Sequence, residues 1–390
     1  MALTGGIARR GGWAAVALLG IGTFIVGTSE LVISGILPVI ADDVHVSIAS
    51  AGNLVTAYAL SFAIATPLVA LTIGQQARKP LLMACMAIFA AANVLATIAP
   101  GFVALMGARI LAAAAAGVFE VVATAAAASL VPEHQRGRAI ALIVSGFSVA
   151  LLVGVPLGTL VGLTWGWRTV FMALFVAGAL ATLGTTLLIP PIARDPKRHE
   201  QESPRQLLKR RAVLGSLSST ALAFLGVYIT ATYLAPFLED ITGLPAEAVA
   251  GVLLLLGLGS VLGNAIGGHA SDSWGTAPTL LASGVVMTLG LGGVSLLGAV
   301  PWATIAAFAL FGTATGVFVP TQQARIVALA PAAPEFALAV NLAALNVGIS
   351  LGAAIGSVIV DRGGLALVGY GGAVVVALAV AVVAGTTSRA

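Results

Sequence analysis

Charged residues are scarce in this chain. Only 8% of its 390 residues are Asp, Glu, Lys or Arg, against about 25% in a typical soluble domain. Strongly apolar residues make up 59% of the chain, and the mean hydropathy is +1.09. A water-soluble fold of this size would need polar side chains to cover its surface. The composition therefore excludes a soluble enzyme, a nucleic-acid-binding protein and a disordered scaffold, and it indicates a protein with many membrane-spanning helices.

Residue patterns for disulfides, metals and nucleotides are also missing. A single cysteine, Cys85, excludes an intrachain disulfide and a cysteine-based metal cluster. The four histidines are scattered, and none pairs at ligand spacing, so we expect no metal site. No Gly-x-x-x-x-Gly-Lys-Ser/Thr loop is present to bind phosphate, which argues against ATP-driven pumping. No nucleophile shares a predicted helix face with a base. We therefore expect neither a cofactor nor catalytic residues.

The apolar stretches predict twelve transmembrane helices. A helix needs about 20 mostly apolar residues to cross the hydrocarbon core, and charges, prolines and glycine pairs divide the chain into twelve such stretches. The first stretch follows a charged start, Met1 to Arg10, without a convincing cleavage site, so we interpret it as a span and not as a signal peptide. The predicted spans, numbered 1 to 12, are 13–38, 50–73, 80–99, 102–130, 139–163, 169–189, 212–235, 248–267, 277–299, 302–328, 336–360 and 366–385.

Basic residues gather on one side of these predicted spans. If the N-terminus is cytoplasmic, fifteen of the 18 Lys and Arg residues fall on the cytoplasmic side, and only Arg168 and Arg362 fall outside. Because cytoplasmic loops of membrane proteins are enriched in Lys and Arg, we predict that both termini are cytoplasmic.

One long polar stretch, from Pro190 to Arg211, divides the chain into two blocks of six spans. It predicts an N-terminal six-helix bundle over 1–189, a cytoplasmic linker over 190–211 and a C-terminal six-helix bundle over 212–390. The linker is interpreted as a solvated tether, and a regulatory or lipid-binding role for its basic cluster is the alternative.

The two blocks contain an internal repeat. Pro80 and Pro278 align the turn between spans 2 and 3 with the turn between spans 8 and 9. Small residues at every fourth position allow two helices to approach closely in lipid, and spans 5 and 11 both have such a pattern. Duplicated six-helix halves with a site between them are typical of transporters. The repeated glycines are Gly154, Gly158 and Gly162 in span 5, and Gly348, Gly352 and Gly356 in span 11.

Several short motifs carry a family resemblance over essentially the whole chain. They are Gly27-Thr-Ser-Glu30 with Gly35-Ile-Leu-Pro38, Gly107-Ala-Arg109 with Gly117-Val-Phe119, Arg136-Gly-Arg138-Ala139, Gly154-Val-Pro156-Leu-Gly158, Gly166-Trp-Arg168 with Phe171, and Asn346-Val-Gly348.

With these motifs the chain resembles the major facilitator superfamily. Within it, the chain is similar to the twelve-helix drug:proton antiporter branch, in particular to bacterial arabinose-efflux and chloramphenicol-resistance type exporters. The resemblance implies an all-α membrane protein of two pseudo-symmetric six-helix bundles, monomeric and located in the bacterial inner membrane. It also implies export of a small organic compound (a drug, sugar or nucleoside) in exchange for protons.

Three ionisable residues fall inside predicted spans, where a charge costs at least about 2.5–3.5 kcal/mol and therefore indicates function. Helix 1 is predicted to end near Pro38, which places Glu30 and Arg109 at similar depth below the outer interface. Glu120 follows Arg109 by 11 residues, so both should share one face of span 4 and look into a cavity. Because a low dielectric favours the neutral carboxyl, we predict that Glu30 binds and releases the proton, while Arg109 competes with the proton or with the substrate.

Alternatives remain for each of these residues. Glu30 and Arg109 are alternatively a static salt bridge between spans 1 and 4. Glu120 is alternatively a structural acid or a contact for the substrate alone. Asp42 and Asp43, at the outer end of helix 1, are expected to be simply exposed.

Uncharged polar residues supply candidates for a substrate cavity. Asn341 and Asn346 are five residues apart, about 140° around a helix, so they cannot both point into it. Near the turns between spans 2 and 3 and spans 8 and 9, the resemblance implies a conformational latch of Arg78, Lys79 and Asp272, with simple solvation as the alternative for Asp272. The cavity candidates are Asn53, Tyr58, Tyr228, Tyr233, Asn264, Gln322, Gln323, Asn341 and Asn346.

Two other functions stay open at this point. The first is a facilitator or proton symporter of the same fold, which the direction of proton movement would distinguish. The second is a membrane sensor or assembly factor that binds a ligand without moving it.

Overall fold

The computed structural model describes residues 2–72, 77–132, 135–192, 209–331 and 333–387. All regular elements in these ranges are helical. Twelve helices are long and apolar enough to cross a membrane, which confirms the all-α prediction and the number of spans. Spans 1 to 12 are Gly12–Leu31, Ile48–Val69, Arg78–Thr97, Phe102–Ser129, Arg136–Trp165, Trp167–Leu188, Arg211–Ala231, Ala246–Trp274, Thr276–Leu296, Pro301–Leu329, Phe336–Gly363 and Leu365–Thr386.

Span 1 is broken near the position of Glu30. Its helix runs from Ala2 to Leu31, and a second helix, Ile33–Asp43, follows after Val32. The predicted end near Pro38 is wrong, because Pro38 lies inside this second helix. An interior proline removes one hydrogen bond and clashes with the carbonyl four residues back, but the helix continues beyond Pro38 to Asp43.

Span 5 contains a π-helical turn and span 7 is followed by one, and such turns are frequent at functional sites. Span 5 consists of Arg136–Val149, the π turn Ala150–Gly154 and Val155–Trp165. Span 7 is followed by the short helix Leu234–Pro236 and the π turn Phe237–Ile241. Three other helices exceed their spans: Ile48–Thr72 in span 2, Pro334–Gly363 in span 11, and Val368–Thr387 with the 3₁₀ turn Leu365–Leu367 in span 12.

The glycine patterns pack equivalent pairs of helices in the two halves, as the repeat predicts. A methyl group at Gly154 would lie 2.1 Å from Oγ1 of Thr28, and one at Gly352 would lie 2.4 Å from the carbonyl oxygen of Leu225. Span 5 therefore packs on helix 1, and span 11 packs on span 7, at backbone distance. Three contacted residues, one in helix 1 and two just beyond it, stand 193 positions before three of span 7: Thr28, Val32 and Ile36 against Ala221, Leu225 and Ile229.

The bundle has two chemically different ends. We call them the basic end, with Arg78, Lys79, Arg136, Arg138 and Arg210, and the acidic end, with Asp42, Asp43, Glu239, Asp240, Glu247 and Asp361.

The two halves of the chain are in close contact at the acidic end. Tyr233 packs so tightly on Gly52 of span 2 that a methyl group there would lie 2.1 Å from the tyrosine oxygen. Ser357 of span 11 donates a hydrogen bond to the carbonyl of Ala49 (2.9 Å). These contacts close the space between the halves at that end.

Arg78 and Lys79, two residues of the predicted latch, bond within the first half of the chain. Arg78 is buried and donates to the carbonyl of Ala125 (2.9 Å), while Lys79 donates to the carbonyl of Thr186 (2.8 Å). Asp272 is exposed at the basic end of span 8. The latch and the linker both stay predictions, and residues 193–208 of the linker lie outside the described ranges.

Candidate functional site

A cavity of about 320 Å³ lies between the two halves of the bundle. Spans 1, 2, 4 and 5, with the second helix of span 1, line it from one side, and spans 7, 8, 10 and 11 from the other. Spans 3, 6, 9 and 12 contribute none of its described lining residues. Most of the wall is apolar, and five of its side chains are aromatic: Phe62, Phe147, Phe224, Tyr228 and Phe311.

Two carboxyl groups, Glu30 and Glu120, are the charged groups among the described lining residues. Glu30 is 8% exposed, and it lies two residues before the break at Val32. Glu120 is half-buried on span 4. No Lys or Arg belongs to the described lining. An ionised carboxylate in such surroundings is costly unless a cation or a proton neutralises it.

Arg109 lies beside the cavity and does not belong to its described lining. It is 1% exposed, and its Nη1 donates to Oγ of Ser29 (2.9 Å), the residue before Glu30. Its guanidinium lies 4.2 Å from the ring centroid of Tyr58 and 5.8 Å from that of Phe171. Nε and Nη2 of Arg109 have no hydrogen-bond partner within the described ranges.

These contacts correct two expectations. Among the described residues, no carboxylate lies within 4.0 Å of Arg109, so the alternative of a static salt bridge with Glu30 is not formed. Arg109 and Glu120 also do not share a cavity face: Glu120 faces the cavity, whereas spans 1, 2 and 6 enclose Arg109. The similar depth of Arg109 and Glu30 agrees with the bond to Ser29.

Four of the predicted polar residues line the cavity: Tyr228, Asn264, Gln323 and Asn346. Asn264 donates to Oγ of Ser148 (3.3 Å) and so joins the two halves across the cavity. Asn346 donates to the carbonyl of Leu342 (3.1 Å), while its Oδ1 has no partner.

The other five candidates, Asn53, Tyr58, Tyr233, Gln322 and Asn341, are not among the lining residues. Gln322 donates to a buried hydroxyl cluster that includes Ser219 (3.0 Å), and Asn341 accepts from Thr220 (2.7 Å). Asn346 faces the cavity and Asn341 does not, as their spacing predicts.

The aromatic wall is the part of the site that sequence reasoning missed. Phe224 and Tyr228 are one helical turn apart, and their rings stack with centroids 6.4 Å apart. Two aromatic residues one helical turn apart can be recognised in the sequence as a shared helix face. Phe62, Phe147 and Phe311 come from three further spans, and no local pattern groups them.

Asp43 is exposed, as predicted, but it also has bonding partners, which the sequence did not predict. It forms an ion pair with Arg168 and accepts a hydrogen bond from Nε1 of Trp167 (3.0 Å). The hydrogen bond from Arg168 holds the pKa of the Asp43 carboxyl below its usual range. Because Arg168 also donates to the carbonyl of Ala99 (3.2 Å), this clamp joins the acidic ends of spans 1, 3 and 6.

Twelve spans in two similar halves, with a cavity between them, define a membrane transport protein. The family described as Major Facilitator Superfamily matches residues 19–333 and 217–389, and the chain belongs to this family. The second match begins near the start of span 7, in agreement with the repeat.

Relatives of similar length carry transporter names. The chain is 36% identical to the uncharacterized MFS-type transporter YbcL of Bacillus subtilis (strain 168), over 94% of this chain and 93% of that protein. It is 35% identical to the inner membrane transport protein YdhP of Escherichia coli (strain K12), over 94% of both chains.

A solved structure shares the fold. It is that of a bacterial homolog to the human lysosomal transporter Spinster in an inward-facing and occupied conformation. The TM-score is 0.76 at 17% identity, over 96% of both chains.

Proposed function

We propose that this protein exports a small organic compound in exchange for protons. The observation that carries the proposal is the position of Glu30: its carboxyl group lines the cavity between the halves, with no cation within 4.0 Å among the described residues. A proton is then the simplest partner that removes its charge. As the halves rock about the cavity, Glu30 would meet the two sides of the membrane in turn.

Arg109 is placed to take part in the proton exchange. Its guanidinium is held beside Ser29, one residue from Glu30, and Nε and Nη2 remain available. When Glu30 loses its proton, these N–H groups offer the carboxylate a charged partner. Glu120, on the same wall of the cavity, either carries a second proton or contacts the substrate.

The cavity wall favours a lipophilic substrate. A sugar would need many hydrogen-bonding groups, but most of the described lining is apolar and five side chains are aromatic. Two carboxyl groups without a lining cation favour a neutral or cationic compound over an anion. Among drugs, sugars and nucleosides, we therefore favour lipophilic aromatic compounds as the substrates.

We further propose that the basic end faces the cytoplasm of a bacterium, with both termini on that side and the protein in the inner membrane as a monomer. Lys and Arg are retained on the cytoplasmic side of membrane proteins. In this orientation the contacts of Tyr233 with Gly52 close the cavity toward the outside.

Inside-out vesicles with an acidic interior and a fluorescent pH probe test the proposal. Ethidium, chloramphenicol, arabinose and inosine would be added in turn. We expect ethidium or chloramphenicol to collapse the gradient, because inward movement of the compound releases protons. Glu30→Gln should abolish the response. Glu247→Gln is the matched control, since this acid is exposed and outside the cavity, and it should behave as the wild type.

Other outcomes distinguish the alternatives. Proton movement with the substrate indicates a symporter, and substrate movement without protons indicates a facilitator. Binding without any movement indicates a sensor. If Glu30→Gln keeps full proton exchange, the role given to Glu30 is excluded.

A further inference from the structure

Arg109 is a buried cation that lacks the usual partner. A charged group enclosed in a protein is normally paired with an opposite charge, because its desolvation is expensive. Among the described residues, the groups close to Arg109 are instead one hydroxyl, Ser29, and two aromatic rings, Tyr58 and Phe171. The charges nearest in the site, Glu30 and Glu120, form no ion pair with it.

The contact with Tyr58 is the shorter of the two aromatic contacts, at 4.2 Å from the guanidinium carbon to the ring centroid. The face of an aromatic ring attracts a cation without accepting hydrogen bonds from its individual N–H groups. The ring can therefore hold Arg109 while Nε and Nη2 stay free. A carboxylate in the same place would occupy these N–H groups and neutralise the charge.

The tyrosine hydroxyl takes no part in this contact. Tyr58 is 1% exposed, and its oxygen has no hydrogen-bond partner in the part of the chain that the structure describes. One turn later on the same helix, Phe62 lines the cavity, whereas Tyr58 does not. Tyr58 thus touches the charge beside the cavity and not the space that a substrate would fill.

We infer that Tyr58 is a positioning residue of the proton-coupling site: its ring holds Arg109 next to Glu30, charged but without an ion pair. This role rests on the proposed proton exchange. It assigns Tyr58 to the coupling of protons to substrate, and not to substrate binding as the sequence suggested.

The contact itself is tested without any substrate, by a double-mutant cycle on thermal unfolding of the purified protein. Tyr58→Leu should lower the apparent melting temperature in the wild type and have a much smaller effect in Arg109→Met, because the partner of the ring is then gone. Tyr58→Phe should match the wild type. Tyr228→Leu is the control, and its effect should be equal in both backgrounds. Additive effects of Tyr58→Leu and Arg109→Met would overturn the inference.

The coupling role is tested with ethidium in the same vesicles, by comparing gradient-driven uptake with ethidium counterflow, which needs no net proton movement. Tyr58→Leu should reduce gradient-driven uptake about ten-fold, the factor that a desolvated cation–π contact supports, and leave counterflow within about two-fold. Tyr58→Phe should restore gradient-driven uptake, since it keeps the ring.

A purely structural role would lower both kinds of transport together in Tyr58→Leu, and this result would overturn the inference. Failure of Tyr58→Phe would also overturn it, because the hydroxyl would then be the active group. A wild-type protein that moves ethidium without protons would instead overturn the proposed function. Equal impairment of both kinds of transport in a proton-coupled protein would remove only the role of Tyr58.

Discussion

The two halves of the molecule share their helix packing but not their buried chemistry. In both halves, glycines of the fifth span pack in the same register against the first span of that half and the residues after it, on the side chains of Thr28 and Val32 in the first half and on the backbone of Ala221 and Leu225 in the second. Glu30 of the first half stands 193 positions before Ala223, which is fully buried. The repeat has therefore kept the close packing and placed the carboxyl group in one half only.

Helix packing is common to both halves and therefore serves the fold, whereas the carboxyl group of Glu30 occurs in one half and therefore serves the site. In the second half, Gln322 donates to Ser219 and Asn341 accepts from Thr220, but Oε1 of Gln322 and Nη1 of Arg325 also have no partner among the described residues. In the first half, Arg109 keeps two N–H groups without partners, and Glu30 has no cation beside it. Unpaired groups of this kind are costly, and they persist where function requires them.

The largest effect is expected from moving the carboxyl group between the halves. Glu30→Ala combined with Ala223→Glu should show no gradient-driven exchange, because Arg109 stays in the first half, beside Ser29 and position 30. Vesicle assays with ethidium would compare this protein with Glu30→Ala alone. Restored exchange would mean that the two halves are chemically equivalent, which would contradict the difference between them described above.

Glycine substitutions should distinguish the two packing interfaces. A methyl group at Gly352 meets the carbonyl oxygen of Leu225 at 2.4 Å, whereas one at Gly158 meets a side-chain methyl of Val32 at 2.7 Å. Backbone atoms move away from an added methyl group less easily than a side chain does. Gly352→Ala should therefore lower the free energy of unfolding by about 2–3 kcal/mol and Gly158→Ala by about 1 kcal/mol. Thermal unfolding in detergent checks both values.

Gly107→Ala is the control for this pair, because its added methyl group would meet no atom within 4 Å. It should be neutral or slightly stabilising. Equal losses for Gly352→Ala and Gly158→Ala would show that side-chain and backbone contacts are equally rigid here.

A smaller difference is expected between two asparagines of span 11. Oδ1 of Asn341 accepts from Thr220 at 2.7 Å, whereas Oδ1 of Asn346 has no partner. Asn341→Leu should therefore cost about 1–2 kcal/mol of unfolding free energy, and Asn346→Leu clearly less. Chemical or thermal unfolding measures both. A greater loss for Asn346→Leu would mean that its carbonyl oxygen is bonded in solution.

The smallest effect concerns the acidic ends of the halves. Asp43 pairs with Arg168 in the first half, while Asp361 and Arg362 of the second half are exposed without an ion pair among the described residues. Since Arg168 lowers the pKa of Asp43 from 3.8, the clamp stabilises the fold above that pH. Its contribution is lost as the pH falls through the lowered pKa.

Melting curves between about pH 5 and pH 3 should therefore show a decline in the wild type that is reduced in Asp43→Asn. Asp42→Asn is the control, because Asp42 is exposed and has no ion pair among the described residues. If the melting temperature of Asp43→Asn declines as much as that of the wild type, other carboxyl groups cause the decline.

Much of the fold could be predicted from the sequence, because spans depend on local hydropathy and length. The twelve spans and the paired glycine patterns are confirmed. The end of helix 1 was misplaced, since Pro38 was expected to stop a helix that continues to Asp43. The clamp on Asp43 was missed, since Arg168 is distant in sequence.

The site was predictable only in part. Burial of ionisable residues inside spans pointed to Glu30, Arg109 and Glu120, and polarity pointed to Tyr228, Asn264, Gln323 and Asn346, which line the cavity. Polarity alone failed for Gln322 and Asn341, because a polar residue in a membrane helix bonds equally well to a neighbouring helix.

The sequence by itself determined the number of helices and the repeat, since both depend on distances measured along the chain. Tertiary structure decided which faces of the helices look into the cavity and which groups stay unpaired. Arg109 shows the reason. The neighbouring helices decide whether it contacts a carboxylate or the ring of Tyr58, and no local sequence pattern predicts which of the two it contacts.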